Sequence, residues 1–173
     1  MITEKIPTDV LKYELRKLQI KVAEESRSSY LTFVKKVWPD FIAGNHHKIF
    51  AKKLEDVSRG KIKRLIVNMP PRHTKSEFAS NLFPAWMMGR NPKLKIIQTT
   101  HTAELSYNFG RKVRNLFDQQ EFKDVFPEVN LSQDSKAAGR FTTNKGGEYF
   151  AAGVGGAITG RGADLLIIDD PHS

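Results

Sequence analysis

The sequence predicts an α/β fold: a doubly wound, mostly parallel sheet with helices on both faces, preceded by a segment of helices alone. Three features carry this expectation. Short apolar runs at residues 64–69, 94–100 and 163–169 are separated by amphipathic stretches of helical period, the rhythm of a sheet wound through right-handed crossovers. Residues 1–60 show only the helical period. Eight of the 12 glycines fall between residues 139 and 162, which marks turns. The chain thus divides into a helical region over 1–60 and an α/β core over 61–173.

The elements follow in order. Thr8 is placed to cap a first helix whose Leu11, Leu15, Leu18 and Val22 fall on one stripe. Ser28 or Ser29 would cap a second helix, carrying Tyr30, Leu31, Phe33, Val34, Val37 and Trp38 and stopped by Pro39. Asn45 would cap a third, with Ile49, Phe50, Leu54 and Val57, and Gly60 suits its C′ position. Arg64-Leu65-Ile66-Val67-Asn68-Met69 reads as a buried strand ended by Pro70-Pro71. A helix starting near Lys75 carries Phe78, Leu82, Trp86 and Met87, and Pro84 should kink or shorten it.

Residues 94–100 form the second strand. Thr102 would cap a long helix with Leu105, Phe109, Val113 and Leu116 on one face, and a short amphipathic piece follows at 122–126. Residues 141–143 and 148–152 flank Asn144-Lys145-Gly146-Gly147 as a hairpin. The last strand, 163–169, delivers two carboxylates, Asp169 and Asp170. A doubly wound sheet would normally continue into a covering helix there, so the sheet is expected to be incomplete.

Composition bounds the function classes. The 173 residues include 28 Lys+Arg and 19 Asp+Glu, a formal net charge of +9, and no cysteine, which excludes disulfide scaffolds and thiolate metal sites. Residues 1–64 hold 15 basic and 8 acidic residues, against 13 and 11 in the remainder. A basic first third suits a polyanion such as nucleic acid, while charge alone more often marks a solvated, lysine-rich helical surface. No run approaches the length of a membrane span, and residues 1–10 lack the apolar core of a signal peptide. A soluble, intracellular protein is expected.

The strongest local signal is Met69-Pro70-Pro71-Arg72-His73-Thr74-Lys75-Ser76, between an expected strand and a helix. That is the context of a phosphate-binding loop: a helix start offers unpaired N–H groups and a positive dipole end. Lys75 would reach the β- and γ-phosphates of a nucleotide, and the Ser76 hydroxyl would ligate Mg²⁺. The general pattern G-x-x-x-x-G-K-[ST] places glycine where this chain has Met69 and Thr74. By pattern alone the stretch is also readable as a proline turn before a capped helix. Leu165-Leu166-Ile167-Ile168-Asp169-Asp170 supplies the second half of such a site. Asp169 would hold Mg²⁺, and Asp170 would orient or deprotonate an attacking water. Alone, an apolar run ending in aspartates is equally a core strand with solvated acids.

The stretch from His46 through NMPPRHTKSEFAS, QTTHTAE, GRKVRN, DSKAAGRF and NKGGEYFAAGVGGAITGRGADLLIIDDPH resembles the large terminase subunit of tailed bacteriophages. The resemblance runs in order over roughly residues 30–173. It implies a P-loop ATPase core that uses ATP and Mg²⁺ to drive DNA into proheads. It further implies double-stranded DNA, a portal protein and a small terminase subunit as partners, a homo-oligomeric ring, no membrane, and the host cell cytoplasm as location. Nothing matches the family's nuclease domain, so no DNA cleavage is expected from this chain.

By that resemblance Pro71, Arg72, His73, Thr74, Lys75 and Ser76 form the nucleotide-binding loop, with Arg72 close to the γ-phosphate. Asp169 is the metal acid, and Asp170 stands where the family's catalytic glutamate stands. His46 resembles an upstream position that approaches the base; a lone histidine at a helix start is more often a cap-region residue. Thr99, Thr100 and His101 end a strand on the expected ligand side and either sense phosphate or cap the next helix. Arg161, in Thr159-Gly160-Arg161-Gly162, is read as an arginine finger acting on a neighbouring subunit, a DNA contact, or an exposed loop residue. Two alternatives stay open beside the packaging motor. One is another P-loop nucleic-acid motor such as a helicase. The other is a nucleotide- or DNA-binding chain without turnover.

Overall fold

The computed structural model describes residues 7–156 and 158–172. The first six positions of the helical region expected over 1–60, together with Ala157 and Ser173, lie outside the described residues. The structure is α/β, with a five-stranded mixed sheet in the order β2-β3-β4-β1-β5. β1 (Lys95–Thr100) runs parallel to β4 (Glu148–Gly153) on one side and to β5 (Leu165–Asp169) on the other. β2 (Leu131–Ala137) and β3 (Arg140–Thr143) extend the sheet antiparallel beyond β4. The hairpin around Asn144–Gly147 forms as expected, linking β3 to β4, with Gly146 at φ 90°. β2 was not legible in the sequence: Leu-Ser-Gln-Asp-Ser-Lys-Ala has no apolar alternation, and its partner strand supplies the order.

Register fixes the two faces. Ile96, Gln98, Thr100, Tyr149, Ala151, Leu165, Ile167 and Asp169 share one face, since pairing is Ile96↔Tyr149, Ile96↔Leu165 and Thr100↔Asp169. α5 (Ala103–Leu116) packs on that face, capped by Thr102, whose side chain accepts the Leu105 N–H. Ser106 Oγ donates to Ala152 O at 2.7 Å and accepts the Thr100 N–H at 3.1 Å. Gly110 permits the approach: a Cβ there would lie 2.0 Å from Ala138 O.

The other face carries Ile97, Phe150, Leu166 and Ile168 and is crossed by the chain linking β4 to β5, which lays Arg161 over Phe150. Helices were expected on both faces; among the described residues only one face has them. The β4–β5 crossover contains Gly155, Gly156, Gly160 and Gly162, and glycine disfavours a covering helix. Leu166 and Ile168 are left 56% and 57% exposed.

The helical region forms a second layer around an aromatic core. α2 (Tyr30–Val37) is capped by Ser29, which accepts the Thr32 N–H, and ends before Pro39. Tyr30 is fully buried among Phe33, Phe78, Phe83 and Trp86, and its hydroxyl donates to Phe78 O at 2.6 Å. Burial, with Glu77 nearby, holds that phenol well above its ordinary pKa. α6 (Gln120–Val125) adds Phe122 and Val125 to this core.

The first and third helices differ from expectation. α1 (Thr8–Ser28) has Pro7, not Thr8, at its N-cap, and Leu11, Leu15 and Leu18 are more than half exposed. The helix meets the domain only through its last turns, where Ala23 and Ser26 are buried. α3 (Asn45–Ser58) starts from Gly44 rather than being capped by Asn45, and Ile49 is exposed while Phe50 and Leu54 are buried. Gly60 follows α3 in the left-handed conformation expected of it, at φ 72°.

The strand expected at 64–69 does not form. Leu65, Val67 and Met69 pack against the core and Ile66 is 87% exposed, yet among the described residues its backbone joins no ladder. Alternation reports one-sided burial and does not by itself place a segment in a ladder. The helix expected from Lys75 is π-helical over Glu77–Leu82 and continues as α4 (Phe83–Arg90). Pro84 has no N–H to offer the Ser80 carbonyl, and the Phe83 N–H bonds back to Phe78 O, so the proline is absorbed as a wide turn.

Candidate functional site

The loop over residues 69–76 is bent by two non-glycine residues in the left-handed region, Arg72 at φ 63° and Thr74 at φ 60°. Alternation of left- and right-handed residues turns successive N–H groups toward one concavity. For β-branched Thr74 this conformation costs on the order of 1–3 kcal/mol and persists only where surroundings impose it. The first turn after it closes with the Phe78 N–H on Thr74 O at 3.0 Å, so the N–H groups of Lys75, Ser76 and Glu77 precede the helical bonding. Residues 69–77 and Asp170 line an open cleft of about 420 Å³.

Across the cleft stands the end of β5. Lys75 Nζ lies 2.5 Å from Asp170 Oδ1 and 3.4 Å from Asp169 Oδ1. The hydrogen bond to Asp170 holds the lysine pKa above its ordinary value, Asp169 adds to this, and partial burial opposes it. The two aspartates differ. Asp169 is 5% exposed and its Oδ2 accepts from Ser80 Oγ at 2.7 Å. Asp170 is exposed at φ 42°, just past the strand, and its carbonyl accepts the His101 N–H at 3.1 Å, tying the ends of β5 and β1 together.

Arg72 lines the cleft and makes no ion pair among the described residues. Ser76 Oγ likewise has no hydrogen-bond partner there. Pro71 O accepts from His73 Nδ1 at 2.9 Å, which shapes the loop. His46 is exposed at the start of α3, with its ring 5.7 Å from that of His73. Thr100 Oγ1 donates to Thr102 O at 2.9 Å and contacts Ser106 at 2.8 Å, so this threonine serves the α5 start. Thr99 Oγ1 is buried without a hydrogen-bond partner among the described residues.

Arg161 is not brought to this cleft. It lies beside the first residues of β1 and β4, pairing with Glu148 at 3.2 Å and stacking on Phe150 at 4.0 Å. The loop over residues 69–76 adjoins the opposite ends of those strands.

Two residues of the site were not legible in the sequence. Ser80 follows Ser76 by one turn and secures Asp169; its i+4 spacing from Ser76 was the available signal. His47, 7% exposed, accepts the Gly44 N–H on Nδ1 at 2.9 Å and reaches Thr74 Oγ1 with Nε2 at 2.6 Å. Burial, followed by the nearby His46 and His73, pushes its pKa down from 6.5.

Together the cleft offers unpaired N–H groups, two cations, a free hydroxyl and two carboxylates. That set accommodates a polyanionic phosphate ester and a hard cation. Among the described residues no cluster of three or more His, Asp or Glu side chains could hold a metal alone. A cation here would therefore take much of its coordination from ligand oxygens and water, as Mg²⁺ does. Among the described residues no helix is long and apolar enough to cross a membrane. No protein-family model matches the chain, and no curated protein or solved structure is significantly similar to it.

Proposed function

We propose that this chain is the ATPase part of a terminase large subunit, a P-loop motor that hydrolyses ATP with Mg²⁺ and drives double-stranded DNA into a prohead. The observation that carries the reading is Lys75, at the helix start of a strained loop, meeting both carboxylates that end a parallel strand. The in-order resemblance of residues 30–173 to that family supports the packaging motor rather than a helicase.

In this reading Lys75 and the N–H groups beside it bind the β- and γ-phosphates, and His46 lies on the base side. Ser76 and Asp169 hold the metal, with Ser80 keeping Asp169 oriented. Bound Mg²⁺ supplies neutralisation of phosphate charge. Binding draws Lys75 from Asp170 toward phosphate, which frees Asp170 to orient the attacking water and accept its proton. Arg72 faces the charge that spreads over the transferred phosphoryl group.

The exposed Lys48, Lys52, Lys53, Lys61, Lys63 and Arg64 support a polyanion partner such as DNA. The portal protein, the small subunit, a ring of copies and the host cytoplasm follow from the resemblance alone. A second reading, nucleotide binding without turnover, is favoured by the engagement of Asp170 with Lys75.

Equilibrium ATP binding with Mg²⁺ and steady-state phosphate release, with and without DNA, test the proposal. Saturable ATP binding and DNA-stimulated release are expected. Binding without release selects the second reading, and no ATP binding at all removes the phosphate-loop assignment.

A further inference from the structure

We propose that His47 is a positioning residue that holds the phosphate loop in its bend, doing by a hydrogen bond at Thr74 what a glycine at that position would do by conformational freedom. The inference rests on the nucleotide-binding reading above and deepens it. Thr74 is a β-branched residue at φ 60°, directly before Lys75. Such a residue stays left-handed only where its surroundings over-determine it.

The surroundings are specific. The Gly44 N–H donates to His47 Nδ1 at 2.9 Å, which requires that nitrogen to be unprotonated. The neutral ring then carries its proton on Nε2 and donates it to Thr74 Oγ1 at 2.6 Å. The Thr74 hydroxyl in turn donates to His73 O at 2.6 Å. The imidazole is itself fixed between aromatic rings, 4.8 Å from Phe41 and stacked at 5.1 Å on Phe78. Phe78 belongs to the π-helical segment that follows the loop, so one ring ties the start of α3, the loop and the next helix together.

The relay works with one protonation state. A proton on Nδ1 would face the Gly44 N–H and remove that acceptor. The titratable groups facing the ring are His46 on its own helix and His73 on the loop, and both disfavour a second charge. Phe41 and Phe78 contribute only rings, and among the described residues no carboxylate pairs with His47. The neutral relay is the state the surroundings support.

The test is a double-mutant cycle on ATP affinity. His47→Phe keeps the aromatic packing and removes both hydrogen bonds. It should weaken ATP binding about tenfold with Thr74 in place, and by less than about twofold in the Thr74→Gly background. Equal losses in both backgrounds would overturn the proposal. His47→Gln, which restores a donor to Thr74 without titrating, should recover most of the affinity. A second arm needs no nucleotide. On lowering the pH, the Thr74 amide resonance should shift in step with His47 protonation, and this shift should vanish in His47→Gln. A Thr74 amide unmoved by that protonation would overturn the proposal. Absence of ATP binding with a coupled Thr74 shift would sink the nucleotide reading and leave the relay standing.

Discussion

The two ends of the parallel strands carry similar charges and differ in everything that surrounds them. At the far end, Glu148 takes Arg140 at 2.6 Å and Arg161 at 3.2 Å, and Arg161 lies over Phe150. A shallow cavity of about 190 Å³ opens there. At the loop end, Lys75 meets Asp169 and Asp170 at comparable distances. Yet there one carboxylate is almost fully buried, a buried serine secures it, and the loop opposite contains two strained non-glycine residues. Ion pairing alone does not distinguish a binding site from a surface staple. The loop end differs from the far end by backbone strain at Arg72 and Thr74 and by a buried carboxylate held by Ser80.

The largest expected break of this comparison is Lys75→Ala against Arg161→Ala, read by ATP titration. On the proposed nucleotide-binding reading, the first removes a charge-assisted phosphate contact and should raise Kd on the order of 10- to 100-fold. The second should change Kd by less than about twofold, since its contacts lie at the other end of the strands. Comparable losses would mean that the two ends act as one site.

Ser80→Ala comes next. It deletes a buried hydrogen bond to the Asp169 side chain, and urea unfolding should show a loss of about 1–3 kcal/mol. An unchanged midpoint would show that Asp169 is held by Lys75 alone.

A smaller effect is expected from pH. The folded pKa of His47 lies below its ordinary value near 6.5, so the unfolded chain binds more protons in that range. The contribution is fully present above pH 6.5 and is lost as pH falls through the lower folded pKa. Thermal midpoints of wild type and His47→Gln should therefore diverge on acidification, wild type falling more. Parallel curves would remove His47 from the account of the loop end.

The smallest effect belongs to the far end. Arg140→Ala should cost less than about 1 kcal/mol, because its side chain is half exposed and the pair is screened by water. A loss of several kcal/mol would show that the far end is as deeply built as the loop end.

Much of the fold was legible locally. Ser29 and Thr102 cap helices as their residue types suggest, and the runs at 94–100 and 163–169 become adjacent parallel strands. Leu11, Leu15 and Leu18 misled, because a helical stripe says nothing about whether a core lies opposite. Residues 64–69 misled for a related reason: one-sided burial produces the alternation, and alternation alone does not make a segment join a ladder. Lys75, Asp169 and Asp170 were recoverable from motif and spacing, since each sits at the junction of an apolar run and a turn.

The sequence by itself determined the local elements whose causes lie within a few residues: caps, the proline interruption at Pro84, the glycine turn between β3 and β4, and the lysine at the start of its helix. Only the tertiary structure decided that Ser80 meets Asp169 across 89 residues, that His47 reaches Thr74 across 27, and that Arg161 lies at the wrong end of the sheet for the cleft. Those are products of register and of which face each crossover takes. A one-residue change in strand pairing would turn Asp169 to the opposite face, and nothing in the local sequence encodes that choice.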